Sequence, residues 1–292
     1  MNYIISSSAT ADLPTSYYKE KDCRLLPFPY YIDDVMYDDN YFEKYGVEEF
    51  YEYAPIAKSV KTSQPALGVI KEYFEGLLKE GKDVLHIELT SGLSGTYQSA
   101  NMIAEELNTK YPNKVIVIDS ACVTGSQGML LNRMAENRDK GLTIEENAKD
   151  LDEYKMTINC RFYTTDIRMF VKGGRVKLAV GKICEVANIV PCMYVTSEGK
   201  LEMLRKCLGK KKALMESIKD MEALARGGRE YDGPVVINHS VFQDEVDECI
   251  NLINKRFPKV KDIRVYNIGP VIGSHTGPYT LAMFFEGKKR ED

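Results

Sequence analysis

Residues 84–100, VLHIELTSGLSGTYQSA, join a short apolar run to a turn rich in glycine and hydroxyl groups and then to a helical pattern. The run from Val84 to Leu89 is typical of a parallel strand that is covered on both faces, and apolar residues recur at helical spacing from Tyr97 onward. Strand, tight turn and helix make one βα unit. The stretch therefore predicts an α/β fold built on a mostly parallel sheet.

The turn at 90–96 suits a small anion. Gly92 and Gly95 let a ligand approach the main chain, while Ser94 and Thr96 carry hydroxyl groups that donate hydrogen bonds. The N-terminus of the following helix adds unpaired N–H groups and about half a unit of positive charge. A Ser or Thr in such a position also commonly caps the helix, so the turn alone leaves capping and ligand binding open.

The first half of the chain continues the alternation of strands and helices. The patterns predict strands at 3–6 and 115–119, a hairpin over 25–38 that turns at Asp33-Asp34, and helices that begin near 14, 47, 67, 97, 125 and 143. The helix that begins at Leu67 follows a second pair of hydroxyl groups, Thr62 and Ser63, for which capping is again the simpler explanation. A doubly wound sheet binds ligands at the carboxyl ends of its strands, where the turn at 90–96 lies.

We place a domain boundary between residues 156 and 157. Residues 1–156 form a predicted N-terminal α/β domain with a mostly parallel sheet of doubly wound type, and residues 157–292 a C-terminal α/β domain with a mixed sheet and helices. The second domain has predicted strands at 158–163, 189–196, 235–240, 263–268 and 280–285, and helices at 165–172, 210–226 and 243–256.

Two segments of the second half carry candidate functional residues. His275 lies between two hydroxyl residues in GPVIGSHTGP, a glycine-rich stretch over 269–278 that we interpret as a loop. Arg175 follows the two glycines of KGGR and, with the basic GKKKA at 209–213, suggests a patch for an acidic partner. Both have simpler explanations, because a lone histidine is commonly structural and basic residues at helix ends commonly complement the helix dipole.

Composition excludes several classes of protein. The chain has 292 residues, of which 44% are hydrophobic and 28% charged, and a formal net charge of −4 that gives no support to non-specific nucleic-acid binding. The seven cysteines are odd in number and form no CxxC pair, which favours reduced thiols over a disulfide framework or a zinc site. With no basic leader and no run of 18 apolar residues, we expect a cytoplasmic protein without stable membrane insertion.

Six short segments, taken together and in this order, resemble the DegV family. They are SSSATADLP at 6–14, KTSQPA at 61–66, LTSGLSGTYQSA at 89–100, VIDS at 117–120, FVKGGRV at 170–176 and GPVIGSHTGP at 269–278. Each segment alone is weak, but the six span nearly the whole chain with comparable spacing.

The resemblance implies a two-domain α/β protein that holds one long-chain fatty acid, such as palmitate, between its domains. Members of the family serve as the fatty-acid-binding subunit of bacterial fatty acid kinase and present the carboxyl group to a separate ATP-dependent kinase. By position in the motifs, Thr62, Ser94 and His275 would bind the carboxylate, with Gly95 and Thr276 beside them. Arg175 would lie on the face that meets the kinase. The resemblance implies no catalytic residue, no metal and no cofactor.

The chain departs from the family pattern at four positions. Ser8 replaces an aspartate, Leu208 an arginine, Tyr279 a glycine and Val190 a lysine. The residues implied for the carboxylate are all present. The changes therefore bear on the kinase partnership more than on fatty-acid binding.

Two other classes of function compete with lipid binding. One is a hydrolase or acyltransferase with Ser94 as nucleophile, His275 as base and Asp119 as the acid that orients the base, although the sequence lacks G-x-S-x-G. The other is a binding protein for a different anionic metabolite, although the GxxxxGK[ST] and GxGxxG fingerprints of nucleotide sites are missing.

Overall fold

The computed structural model describes residues 3–42, 44–184 and 188–291. Its strands are β1 (Tyr3–Ser8), β2 (Cys23–Leu26), β3 (Phe28–Ile32), β4 (Val35–Asp39), β5 (Val60–Thr62), β6 (Asp83–Glu88), β7 (Val115–Asp119), β8 (Ile158–Thr164), β9 (Ile189–Val195), β10 (Leu201–Leu208), β11 (Val235–His239), β12 (Ile263–Asn267) and β13 (Thr280–Glu286). Its α-helices are α1 (Thr15–Glu20), α2 (Val47–Tyr53), α3 (Leu67–Leu78), α4 (Thr96–Asn108), α5 (Gly125–Lys140), α6 (Ile144–Tyr154), α7 (Arg168–Lys172), α8 (Leu178–Cys184), α9 (Lys210–Leu224), α10 (Gln243–Arg256) and α11 (Pro270–Thr276).

The first sheet is parallel throughout, in the order β2-β1-β6-β7. Successive side chains along each strand point to opposite faces of the sheet, so alternate residues belong to two different hydrophobic clusters. Ile4 and Val84 pack with residues of α3 and α4 on one face, and Ile5 and Leu85 pack with residues of α1, α5 and α6 on the other. The predicted α/β fold with a doubly wound parallel sheet is thus confirmed.

The second sheet is mixed, in the order β10-β9-β8-β13-β11-β12, and β11 and β12 form its parallel pair. Helices α9 and α10 cover one face, where their apolar residues form a cluster with those of β11 and β13. Helix α5 packs on the opposite face and also contacts β1 and β6 of the first sheet. The first seven residues of α5 are therefore all buried, which differs from the one-sided burial expected of an amphipathic helix.

A third sheet is antiparallel and has the order β4-β3-β5. It contains the predicted hairpin, but the bounds predicted for that hairpin, 25–38, are wrong. The turn at Asp33-Asp34 is as predicted, and both residues have the positive φ that a two-residue hairpin turn of type I′ requires. The hairpin itself begins at Phe28, and β2 before it is a parallel edge strand of the first sheet. Pro27 lies between the two strands.

The chain passes from the first sheet to the second between Tyr154 and Ile158. This is where the sequence places its boundary at 156/157, yet one hydrophobic cluster contains residues of both sheets and of α5 between them. The division into two domains stays a prediction.

Candidate ligand-binding site

An apolar cavity lies where the carboxyl ends of the parallel strands meet the other two sheets. Its volume is about 100 Å³, whereas one water molecule needs only about 10–15 Å³. The cavity is therefore larger than a packing void. Its apolar lining consists of Phe28, Leu89, Leu93, Val123, Cys160, Phe162, Phe170, Leu201, Ile268, Val271, Ile272, Ala282 and Phe284.

Thr62 and His275 face the cavity together, although 213 residues separate them in the chain. Thr62 is the last residue of β5, and His275 is in the last turn of α11. Thr62 Oγ1 lies 2.7 Å from His275 Nε2, a hydrogen-bond distance. The structure thus places a hydrogen bond between two of the three residues that the family resemblance implies for a carboxylate.

Helix α11 replaces the loop predicted over 269–278. Pro270 opens the helix, as proline commonly does at a first helical position, and Gly277 ends it at φ 66°. Gly273 lets the helix pack closely, because a Cβ there would lie 2.5 Å from Tyr51 Oη. The glycines of this motif therefore position His275 through close packing. A helix this short and this rich in glycine carries no periodic signal that the sequence alone would show.

His275 is uncharged at neutral pH. Burial, with a smaller contribution from the positive charge of Arg175, lowers the pKa of His275 from 6.5 to about 4. In the described part of the chain its Nδ1 is buried without a hydrogen-bond partner. A neutral imidazole has one N–H and one acceptor nitrogen, so His275 offers a ligand a hydrogen bond rather than a full charge.

Ser94 bonds to the first residue of α4 and also lines the cavity. Its Oγ lies 2.7 Å from Thr96 Oγ1 and accepts a hydrogen bond of 3.3 Å from the N–H of Thr96, the first residue of α4. Ser94 also lines the cavity. Gly95 is the N-cap of α4, and no side chain caps this helix in the described structure, so the capping role that the sequence left open for Ser94 is not observed.

A hairpin of the second sheet supports the turn at 90–96 from outside. The loop between β9 and β10 packs against it so closely that a Cβ on Gly92 would lie 2.5 Å from the carbonyl oxygen of Glu198. Gly92 therefore makes room for protein backbone rather than for a ligand. Sequence reasoning missed this contact because it missed β10, an edge strand in which Leu204 and Leu208 are exposed and Arg205 is half-buried, so that apolar and polar residues do not alternate in the sequence.

The remaining predicted site residues lie close to this group. The exposed side chain of Arg175 lines the cavity, and its Nη1 donates a 2.6 Å hydrogen bond to the carbonyl oxygen of Gly173. Thr276 lines the cavity as well, with its Oγ1 donating to the carbonyl oxygen of Gly277 at 3.3 Å. Gly95 precedes α4 as its N-cap residue and is not part of the cavity wall.

The geometry of a Ser-His-Asp triad is not assembled in the described residues. Asp119 Oδ1 accepts from the N–H groups of Ser91 at 3.1 Å and Ala121 at 3.0 Å, so this carboxylate orders loops. His275 bonds to Thr62 through Nε2 and has no carboxylate on Nδ1. A general base needs such a group to orient it, so the arrangement does not favour the hydrolase hypothesis.

Ser8, one of the departures from the family pattern, belongs to a polar network that the sequence did not reveal. Ser8 Oγ donates to Glu88 Oε1 at 2.6 Å, Glu88 Oε2 lies 3.2 Å from His86 Nε2, and His86 Nδ1 lies 2.8 Å from Ser6 Oγ. All four side chains are fully buried, so no substrate reaches them. Glu88 also accepts from the N–H of Leu89 at 2.7 Å and thereby holds the entrance to the turn at 90–96.

The other departures lie at the surface or in a strand. Leu208 is 70% exposed and Val190 is buried in β9. Tyr279 is 48% exposed and has φ 62°, in the left-handed region that favours glycine. The tyrosine at this position is therefore strained.

Within the described ranges, no group of three or more His, Cys, Asp or Glu side chains is placed to hold a metal ion. Six cysteines are free and buried, and Cys184 has a side chain outside the described residues. None of the helices described is both long and apolar enough to cross a membrane.

Comparison with known proteins gives consistent matches over the full chain. The family model described as "Uncharacterised protein, DegV family" matches residues 4–288. A DegV domain-containing protein of Clostridium perfringens is 33% identical over 99% of both chains. A Thermotoga maritima structure described as revealing fatty acid binding function is 29% identical, covers 99% of this chain and all of its own, and has a TM-score of 0.83. A Thermus thermophilus structure described as fatty acid binding of a DegV family protein is 25% identical with the same coverage and a TM-score of 0.87.

Proposed function

Since the chain belongs to the DegV family, we propose that it binds one long-chain fatty acid, with the acyl tail in the apolar cavity and the carboxylate at Thr62, Ser94 and His275. The observation that carries this proposal is the composition of the cavity wall. Most of the residues that line it are apolar, and the lining also includes these three hydrogen-bonding side chains. The fatty acid binding described for the Thermotoga and Thermus proteins supports it.

The physical chemistry of the site agrees with a fatty acid. A hydrogen bond to a charged group is worth about 1.5–3 kcal/mol; Ser94 supplies one donor to the carboxylate, and the bonded pair of Thr62 and His275 supplies another. The tail contributes more, because about 14 methylenes of palmitate at ~0.8 kcal/mol each give roughly 11 kcal/mol before the costs of binding. Affinity therefore comes mainly from the tail, and the head group sets the position of the carboxylate along the cavity.

We propose a non-catalytic role in which the protein presents the bound fatty acid to a separate ATP-dependent kinase, or carries it in lipid transport and metabolism. The exposed side chain of Arg175 lines the cavity and lies close enough to His275 to lower its pKa, so a partner that contacts Arg175 approaches the carboxylate. The kinase partner rests on this position and on the family resemblance.

Native mass spectrometry of protein purified from bacterial cells tests the binding function, with organic extraction to identify the bound molecule. One fatty acid per chain is the expected result. Protein that carries no lipid and takes up no added palmitate would refute the proposal. The Ser-His hydrolase alternative predicts instead that a serine-directed reagent labels Ser94 selectively.

The kinase partnership is tested by adding a fatty acid kinase subunit and ATP to palmitate-loaded protein and measuring acyl phosphate. We expect Arg175→Ala to reduce acyl phosphate formation while palmitate binding persists. Lys177→Ala, which removes an exposed cation two residues away, is the matched control and should support phosphorylation normally. Equal rates for the two variants would exclude Arg175 from the partner contact.

A further inference from the structure

The cavity wall contains polar atoms that a plain hydrocarbon tail leaves without partners. Thr124 and Thr280 both line the cavity and are 4% and 2% exposed. In the described structure neither Oγ1 has a hydrogen-bond partner. A buried hydroxyl without a partner costs free energy, and most buried polar atoms in proteins are paired. These two atoms therefore require an explanation.

The strand geometry directs Thr280 toward the cavity. Thr280 begins β13, and the alternate residues Ala282 and Phe284 line the same cavity, as expected for side chains on one face of a strand. The N–H of Thr280 donates to Ser240 Oγ at 2.9 Å, so its backbone is held while its own hydroxyl stays unpaired.

Thr124 is held just as firmly from the first half of the chain. Its N–H donates to the carbonyl oxygen of Thr10 at 3.1 Å, and its carbonyl oxygen accepts from Gly128 at 2.9 Å within α5. These bonds keep Thr124 at φ 51° and ψ −128°, a strained conformation for a residue with a side chain. Thr124 thus lines the cavity from a fixed position, with its buried hydroxyl unpaired among the described residues.

A third unpaired oxygen lies close to Thr124. Asn238 Oδ1 is buried without a partner among the residues described, and a Cβ on Gly125, the residue after Thr124, would clash with it. Asn238 pairs with Ala282 across β11 and β13, so its side chain is on the face of the sheet that bounds the cavity. Thr124 and Thr280 therefore line one cavity from the two halves of the chain, and Asn238 lies next to the residue that follows Thr124.

We infer that this cavity accepts fatty acids whose acyl chain carries a hydroxyl group, bound by Thr124 and Thr280. This rests on the proposed fatty-acid binding and specifies the class of fatty acid. A hydroxyl group both donates and accepts, as does a threonine hydroxyl, so one chain hydroxyl can donate to one threonine and accept from the other. An ordered water could instead pair with the two threonine hydroxyls. In that case the cavity would bind a plain acyl chain more tightly than a hydroxylated one.

The test compares stearate with a series of hydroxystearates that differ in the position of the hydroxyl group. We expect at least one isomer to bind between about two- and tenfold more tightly than stearate, the range that one net hydrogen bond gives. Tighter binding of stearate than of every isomer would overturn the inference in favour of water. Absence of binding by stearate and by all isomers would instead refute fatty-acid binding itself.

Variants assign the preference to the two threonines. Thr124→Val and Thr280→Val remove the hydroxyl at nearly constant shape. We expect each to lower the preference for the hydroxylated ligand, measured as the dissociation constant of stearate divided by that of the tightest-binding hydroxystearate. Thr124→Ser and Thr280→Ser keep the hydroxyl and should retain the ratio, which separates hydrogen bonding from a change in packing. A preference that survives both valine substitutions would exclude these residues as its source.

Discussion

Thr62→Val removes the one hydrogen bond that His275 makes to another side chain in the described structure. Valine has nearly the shape of threonine, so the main change is chemical. Among the described residues, the half-buried imidazole of His275 then has neither nitrogen paired. Leaving a buried polar group without its partner costs about 1–3 kcal/mol, and we expect the free energy of unfolding of the ligand-free protein to fall by that amount.

The same substitution removes one donor to the carboxylate of a bound fatty acid. A hydrogen bond to a charged group is worth about 1.5–3 kcal/mol, which corresponds to a rise in the dissociation constant for palmitate of about 10- to 150-fold. Binding should remain measurable because the apolar contacts of the tail are unchanged. Urea unfolding of the ligand-free protein and calorimetric titration with palmitate measure the two effects separately.

Thr62→Ser is the matched control, since serine keeps the hydroxyl group, and it should bind palmitate nearly as well as the natural chain. The pKa of His275, followed by NMR, provides a second control. Burial and Arg175 lower that pKa, and neither changes in Thr62→Val. A valine variant that matches the natural chain in stability and binds palmitate within twofold would refute the role assigned to Thr62.

Four further predictions concern residues around the cavity. Ser94→Ala should weaken palmitate binding by about 1.5–3 kcal/mol without abolishing lipid uptake, and unchanged affinity with unchanged acyl phosphate formation would exclude Ser94 from the head-group site. Gly173→Ala places a Cβ against the ring of His275, so the free energy of unfolding, measured by thermal unfolding, should fall by about 1–3 kcal/mol. The control Gly76→Ala adds a Cβ that meets no atom and should not destabilise the protein. Because the pKa of His275 is about 4 in the folded protein and 6.5 for an unperturbed histidine, about 3 kcal/mol of stability should be lost as pH falls from 6.5 to 4, and His275→Gln should flatten that part of the profile. Burial, and the nearby Asp39, raise the pKa of Asp12 well above 3.8, so its contribution to stability declines as pH rises above 3.8, and Asp12→Asn should unfold at higher urea than the natural chain at pH 8 but not at pH 3.

Local patterns predicted most of the first sheet. The apolar run predicted at 84–89 corresponds to β6, which spans Asp83–Glu88 and so begins and ends one residue earlier. The helix expected after the glycine-rich turn is α4, which begins at Thr96. The turn at Asp33-Asp34 was predictable because few residues other than glycine, asparagine and aspartate accept positive φ. These features depend on neighbours in the chain, and so the sequence alone reveals them.

Elements that depend on distant contacts escaped prediction. Helix α11 has one glycine among its seven residues and a glycine on either side, a composition that in isolation indicates a loop, and it packs against Tyr51 in a way that tolerates only glycine at 273. The edge strand β10 was missed because Leu204 and Leu208 lie on its exposed face, so that apolar and polar residues do not alternate in its sequence. In both cases packing against another part of the chain decides the conformation.

By itself the sequence determined the α/β class and the order of most strands, because periodicity and turn chemistry act over a few residues. The family resemblance added the motifs that contain Thr62, Ser94 and His275. Only the tertiary structure decided that Thr62 and His275 share a hydrogen bond, that burial keeps His275 neutral, and that Thr124 and Thr280 face one cavity. Burial and electrostatic environment are sums over residues far apart in the chain. They acquire values only when the sheets and α5 pack together.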